Sequence, residues 1–539
     1  MTDASQVLYS ELTVLHARET LRPLDKALAE FIAQSSSEPW VQVLVELVSA
    51  RLGRGELSLH LDELSAQACQ CLLEASTHAT WLSLDNEIPG TPLILHNNRI
   101  YLRRFWQLEL DVNQQLHALE EQGRLRVITG PPGSGKTTRL KALIDERLEK
   151  NPDLRVALAA PTGKAVHRLQ QVLPGQANIA TVHRLLGVGG QRSLAYLAQR
   201  LNGQPLPFDL VVIDEASMVG LELAQALLNS LPPHAELLLV GDANQLPSVE
   251  PGQVFASLCR RIGPTHIQRL QTQYRFKSES AIGQLAAYLQ SQPSAASISI
   301  AEVLSLAEAS TDNTVECLRI DTTIDNRLID QVVESRHALM AMAMRLQSEA
   351  PMAQGHSAIA AKNTDTHVQS MQVDLLRELD QAMVLTPFRE GSMGSLALNK
   401  LFQRALHARG LLASAVGFTT GLPVICIQND YDLDLMNGSL GVVIGDMGLF
   451  DSSHGPRFIP LQQCPALEPA FALTVHKAQG SEFTNLVFLL AESPDNPLSV
   501  PLVYTAITRA REALTLVAAG LSTSSAPSTP STPSTPSTG

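Results

Sequence analysis

The run Gly130-Pro131-Pro132-Gly133-Ser134-Gly135-Lys136-Thr137-Thr138 limits what this chain can fold into more than any other feature. It satisfies the phosphate-loop pattern GxxxxGK[ST]. It also stands where that pattern has meaning, after the strand-like Leu125 to Thr129 and at the start of a helical stretch. In that setting the glycines let backbone N–H groups turn inward around a β-phosphate. Lys136 neutralises the β and γ oxygens, and the Thr137 hydroxyl is placed to coordinate Mg2+. ATP with Mg2+ is the ligand such a loop is built for.

The strand–helix alternation continues beyond the loop. Apolar runs at Arg155 to Ala160, Leu210 to Ile213 and Glu236 to Val240 are separated by helical stretches, the pattern of a parallel sheet covered on both faces. Leu210 to Ile213 delivers Asp214-Glu215-Ala216-Ser217 to the carboxyl end of its strand, where open α/β sheets bind their ligands. Asp214 then holds Mg2+, directly or through water, and Glu215 orients and deprotonates the attacking water. The next strand ends in Val240-Gly241-Asp242-Ala243-Asn244-Gln245-Leu246-Pro247-Ser248-Val249. Gln245 is placed to sense the γ-phosphate or bond the attacking water, and Pro247 fixes the turn that follows. A second α/β set appears at Asn485 to Leu490 and Ala513 to Ala518.

Composition narrows the class of protein without deciding the partner. At 539 residues with 45% hydrophobic content, the chain is long enough for several cores. A net charge of −13 argues against coating DNA by bulk electrostatics, but leaves room for a local groove with a few phosphate contacts. Six scattered cysteines fit reduced thiols better than zinc knuckles or a disulfide framework. No apolar run reaches the roughly 18 residues of a membrane span, and the N-terminus lacks the basic-then-apolar order of a secretion signal. The expectation is a cytoplasmic protein with no membrane partner.

Four regions can be marked along the chain. Residues 1–110 read as a helical N-terminal docking domain with leucine-rich faces. Residues 111–262 form the first α/β motor domain and 263–520 the second. The second carries a Ser/Ala-rich stretch of helices joined by a poorly ordered insertion at about 290–378. It also carries a β insertion at about 415–463, where strand-like Pro423 to Ile427 and Gly441 to Ile444 flank a hairpin signal, Asn437-Gly438. Residues 521–539 repeat Ser, Thr and Pro and should be a disordered tail.

Further blocks resemble the motifs of superfamily 1 helicases. Ala160-Pro161-Thr162-Gly163-Lys164-Ala165 and Thr181-Val182-His183-Arg184-Leu185-Leu186-Gly187 are similar to the blocks that contact single-stranded DNA. Gln273-Tyr274-Arg275-Phe276 resembles the block whose arginine reaches the γ-phosphate. Thr474-Val475-His476-Lys477-Ala478-Gln479-Gly480-Ser481-Glu482-Phe483 and Val503-Tyr504-Thr505-Ala506-Ile507-Thr508-Arg509-Ala510 resemble the last two motifs. An arginine supplied by a second domain stabilises charge on the transferred phosphoryl group only when the domains close, so Arg275 and Arg509 would tie closure to ATP.

Within that superfamily the chain is similar to the RecD family. The blocks around Asp214, Gln245, Thr386-Pro387-Phe388-Arg389-Glu390-Gly391, Asn437-Gly438 and His476 carry the likeness. Leu21-Arg22-Pro23-Leu24-Asp25 and the stretch from Pro92 to Leu102 extend it into the N-terminal region, where free-standing RecD-like helicases differ. The resemblance implies an α/β fold of two RecA-like P-loop motor domains, with a helical N-terminal domain and a small SH3-like β insertion in the second motor.

It also implies an ATP-dependent five-prime to three-prime DNA helicase in the exodeoxyribonuclease V complex. Partners would be RecB-like and RecC-like subunits in a heterotrimer acting on single-stranded and double-stranded DNA ends in recombinational repair. DNA contacts fall on Pro161, Thr162, His183, Arg389, Asn437, Thr474 and His476. Gly480 and Glu482 join the nucleotide site, and Gln115, in preference to Gln114, takes the adenine. No acid-and-lysine cluster of a metal nuclease is visible, so nuclease activity belongs to a partner subunit. The rival readings are a free-standing RecD-like helicase, a P-loop ATPase that does not unwind DNA, and a non-catalytic scaffold subunit.

Overall fold

Strands that are apolar on both faces need cover on both faces, and this chain supplies it twice. The computed structural model describes all residues except 1–2, 37, 78, 174–177, 188–204, 249, 271–279, 294–295, 310–311, 313, 321–323, 325, 350–365, 431, 453–454, 465, 493–497 and 520–539. The first sheet has six parallel strands in the order Ile267–Arg269, Leu125–Thr129, Glu236–Gly241, Leu210–Ile213, Val156–Ala160 and Asn178–Thr181. Alternation within one strand shows the double burial. Leu237 and Leu239 enter one core with Leu116, Leu223 and Phe255, while Leu238 and Val240 enter the other with Leu140 and Val166. Each such side chain contributes about 1.5–3 kcal/mol on burial.

The order of strands matters for the site. The strand leading to the phosphate loop lies beside Glu236–Gly241, and that strand lies beside Leu210–Ile213. Three functional loops therefore leave neighbouring carboxyl ends.

The second sheet is also parallel, in the order Val315–Ile320, Ala510–Ala519, Phe483–Leu490, Ala382–Thr386 and Ala472–Thr474. Phe488 and Leu516 face one core, Leu489 and Val517 the other. The stretch at about 290–378 is built into this unit. It supplies the helices Ile300–Glu308, Asn326–Glu349 and Thr366–Leu379, and its strand Val315–Ile320 forms the edge of the sheet. That strand was not foreseen, because its exposed positions break the apolar run. The join at 350–365 and the tail lie outside the described residues.

A five-stranded antiparallel sheet fills the β insertion, in the order Arg457–Pro460, Met447–Phe450, Leu440–Ile444, Pro423–Cys426 and Leu467–Pro469. Pro423–Cys426 and Leu440–Ile444 do pair, with Ile425 opposite Leu440. The two strands form the expected antiparallel pair, joined by a longer loop that carries an Asp430–Leu435 bridge. Asn437-Gly438 makes a tight turn just before Leu440. The Ser439 N–H donates to the Met436 carbonyl at 2.9 Å, and Gly438 takes φ 93°, which a side chain would resist.

The N-terminal region packs the helices Asp3–His16, Pro23–Ala33, Trp40–Gly53 and Ala66–Ser76 around Leu8, Leu44, Leu47 and Trp81. A small sheet of Ser58–His60, Arg99–Leu102, Leu93–His96 and Leu82–Leu84 completes that core. Its hairpin turns on Asn97 and Asn98, both at positive φ (47° and 59°), as a two-residue turn requires. The helix Arg103–Glu121 follows directly and lies against Leu221–Asn229 of the first motor. One helix thus runs through position 110. Among the described residues no helix is long and apolar enough to cross a membrane.

Candidate nucleotide and DNA sites

The phosphate loop leaves Leu125–Thr129 and enters the helix Lys136–Lys150. Gly133 and Gly135 take φ 73° and 81°, the backbone bend that turns successive N–H groups to one side. The Lys136 ammonium donates to the Gly130 and Pro131 carbonyls at 2.7 and 2.9 Å, so it is folded onto its own loop. Ser134 Oγ is buried without a hydrogen-bond partner.

A cavity of about 640 Å3 opens over this loop. Pro132, Gly133, Ser134, Gly135, Lys136, Thr137 and Thr138 form one wall, with Asp214, Glu215 and Gln245 beside them. Glu482 and Arg509 close it from the second sheet. Asp214 is 7% exposed, and burial, then the neighbouring Glu215 carboxylate, push it up to about 6, with Lys136 and Arg168 pulling the other way. Asp214 Oδ1 accepts the Glu215 N–H at 2.9 Å, which holds Glu215 in the left-handed region at φ 52°. Such a conformation costs a non-glycine residue of order 1–3 kcal/mol, and residues held in it cluster at functional sites.

Arg509 is 2% exposed. Its Nε donates to the Thr505 carbonyl at 3.1 Å and one terminal nitrogen to Ser481 O at 3.3 Å, while the other has no partner. An orphaned guanidinium N–H at the edge of a phosphate-loop cavity fits a phosphate oxygen. The buried Asp214 carboxylate beside the Thr137 hydroxyl likewise fits a hard divalent cation.

Several expectations are corrected. Gln115 does not line the cavity; its amide donates to Asn229 Oδ1 at 3.1 Å, because its helix turns that face to Leu221–Asn229. Gly130 and Pro131 supply the carbonyls that hold Lys136 and form no wall. Gly480 stands against Thr162, where an added Cβ would lie 3.7 Å from its hydroxyl. Arg275 lies outside the described residues. Arg168, absent from the sequence reading, lines the cavity and pairs with Glu482 at 3.5 Å.

A second cleft of about 390 Å3 brings together Pro161, Thr162, His183, Asn437 and His476, so two motor domains and the β insertion meet there. Thr162 caps its helix, accepting the Ala165 N–H at 3.3 Å. Burial lowers the pKa of both His183 and His476, which makes them neutral hydrogen-bonding groups and not cations near pH 7. Two residues assigned to DNA do not line this cleft. Thr474 is buried and accepts the Lys477 N–H at 3.3 Å. Arg389 is spent on a bidentate pair with Glu468 at 2.6 and 3.1 Å.

Two parallel sheets with a phosphate loop on one and an arginine from the other define a two-domain P-loop motor. Comparison with known proteins narrows it. The chain matches the RecBCD enzyme subunit RecD N-terminal domain over residues 17–101, an AAA domain over 112–308 and the UvrD-like helicase C-terminal domain over 469–517. It is 30% identical over 565 residues to RecBCD enzyme subunit RecD of Mycolicibacterium smegmatis, covering 93% of this chain and 94% of that protein. To the ATP-dependent RecD2 DNA helicase of Deinococcus radiodurans it is 33% identical over 404 residues, 72% of this chain and 46% of that one. A looser likeness is to the solved Pif1 helicase from Candida albicans, at 17% identity over 76% of this chain and 94% of that one, with a TM-score of 0.37. The chain belongs to the RecD family of superfamily 1 DNA helicases.

Proposed function

We propose that this protein is the five-prime to three-prime helicase subunit of a RecBCD-type heterotrimer, driving single-stranded DNA through the complex from broken duplex ends. The observation that carries the reading is Arg509, whose unpartnered guanidinium nitrogen comes from the second motor to a cavity built on the first. Closure over ATP is then favoured by a charge-assisted bond that the open cleft lacks, and hydrolysis removes it.

The roles divide by position. Lys136 leaves the Gly130 and Pro131 carbonyls for the β and γ oxygens, and Thr137 with Asp214 would hold Mg2+, which would neutralise developing phosphate charge. Glu215 takes the proton of the attacking water, Gln245 holds that water, and Arg509 stabilises the transferred group. Pro161, Thr162 and His183 on one motor, with Asn437 and His476 on the other, grip the DNA strand. Relative movement of the two halves at each ATP cycle becomes a step along it.

The N-terminal match at 17–101 supports RecB-like and RecC-like partners, since it favours a subunit over a free-standing helicase. Two of the expected domain limits are corrected: the helix Arg103–Glu121 runs through 110, and Ile267–Arg269 forms the edge of the first sheet, so the first motor extends past 262. The limit at 520 belongs to this reading.

Duplexes with either a five-prime or a three-prime single-stranded tail test it, using the wild-type chain and Lys136→Gln, alone and with the two partner subunits. Unwinding from the five-prime tail only, lost in Lys136→Gln, is the expected result. Unwinding confined to three-prime tails would overturn the polarity.

A further inference from the structure

The loop that carries Gln245 is held by the opposite motor. Leu246 donates its N–H to Thr505 Oγ1 at 2.7 Å and accepts the Gln479 amide on its carbonyl, also at 2.7 Å. Asp242, 1% exposed, divides its carboxylate between the two sides. Oδ1 accepts the Asn244 N–H at 3.0 Å, while Oδ2 accepts both the Tyr504 hydroxyl at 2.9 Å and the Gln245 amide at 3.4 Å. Tyr504 is fully buried, and its oxygen in turn accepts the Gln290 amide at 2.8 Å.

The chain Gln290, Tyr504, Asp242, Gln245 therefore crosses the interface. Gln290, on the helix Ala281–Ser291, and Tyr504, on Val500–Ile507, belong to the second sheet's layer, and Asp242 and Gln245 follow a strand of the first. A buried carboxylate depends on its donors, since each one lost leaves an uncompensated acceptor in a low-dielectric site. Of these donors to Asp242, Tyr504 is the one that moves with the second motor.

We propose that Tyr504 is a positioning residue for ATP hydrolysis, acting through Asp242 to set the side chain of Gln245, so that the attacking water is ordered only while the two motors are closed. The inference rests on the reading of Gln245 as the contact to that water. With its N–H turned to Asp242, the Gln245 amide keeps a carbonyl oxygen to accept from the water. When the motors part, Asp242 loses the Tyr504 hydroxyl and competes for the remaining donors, which pulls Gln245 out of place. Tyr504 does this without touching nucleotide. It explains why a hydroxyl is buried at a position otherwise lined by Val503, Ala506 and Ile507.

The test is DNA-stimulated ATP turnover by the full chain, alone and with the partner subunits, for Tyr504→Phe, Gln245→Ala and the double variant. Tyr504→Phe is expected to lower kcat about tenfold with KM for ATP within about twofold. In the Gln245→Ala background the same change is expected to cost nothing further, because both act through one group. Losses that multiply, or a raised KM at unchanged kcat, would overturn the inference while leaving Gln245 as the water contact. Wild-type kcat in Gln245→Ala would instead remove the reading beneath it. Should Tyr504→Phe not fold, Gln290→Leu decides at a half-buried position. It should lower kcat about threefold in the wild-type background and not at all in Gln245→Ala, and equal loss in both backgrounds would overturn the proposal.

Discussion

The two clefts of this motor are built in opposite ways. The nucleotide cavity rests on one unbroken backbone loop, and Pro132 through Thr138 line it in sequence order. The second cleft has no such spine: Thr162, His183, Asn437 and His476 arrive from four separate segments, His183 on the short helix Val182–Leu185, and Asn437 reaches it from the β insertion. A continuous loop places its donors by local φ and ψ, so its chemistry survives small domain movements. A cleft assembled from distant loops exists only in one arrangement of the domains. That is the property a motor needs if ATP is to change its grip on DNA.

Substitutions should expose this contrast. Arg509→Ala removes a cation of the nucleotide site that is supplied by the second motor, and kcat is expected to fall about 1000-fold or more with ATP still bound. Nucleotide binding and turnover measured side by side would check it. Glu215→Gln stays within the first motor. Turnover should drop about 100-fold or more while ATP affinity holds, and lost binding would contradict its role as base.

Within the nucleotide cavity, Asp214 gives a pH response of defined sign. Its folded value of about 6 lies above the roughly 3.9 of an unfolded aspartate, so the folded state keeps a proton that the unfolded state lacks between those limits. Burial of Asp214 then costs stability above pH 6, and the cost vanishes as pH falls toward 4. Asp214→Asn should stabilise the nucleotide-free protein at pH 8 by on the order of 2 kcal/mol, read as a raised Tm, and the gain should shrink below pH 6. Turnover runs the other way, since a cation needs the ionised form: wild-type kcat should decline on acidification, at a pH below the metal-free value because bound Mg2+ favours the carboxylate.

Effects in the second cleft should be smaller and confined to DNA. His476→Ala is expected to raise the DNA concentration for half-stimulation about tenfold, with KM for ATP unmoved. Arg389→Ala should change that concentration by less than about twofold, because its guanidinium is engaged by Glu468, and an exposed pair of this kind contributes under about 1 kcal/mol. A large DNA defect in Arg389→Ala would place Arg389 in the grip and blur the boundary between the clefts.

The limits of the sequence reading follow the same division. Contiguous motifs were legible because their geometry is local: the phosphate loop needs its strand and helix, and Asp214-Glu215 needs a strand end. Gln115 was misplaced because its partner Asn229 lies on another helix, and no spacing reports which helix a face will meet. Arg168 went unnoticed because its pairing with Glu482 joins positions from opposite sheets. Asp242 and Tyr504 both stood inside recognised blocks, yet nothing local told that they meet.

The amino-acid order alone therefore determined the class of machine, its nucleotide chemistry and the parallel sheets that hold it, since strand patterning and loop backbone are decided within a few residues. Tertiary structure decided which side chains from the two motors face each other, the left-handed strain at Glu215 and the buried chain from Gln290 to Gln245. Those depend on long-range packing, where burial, not sequence distance, selects the partner of each polar group.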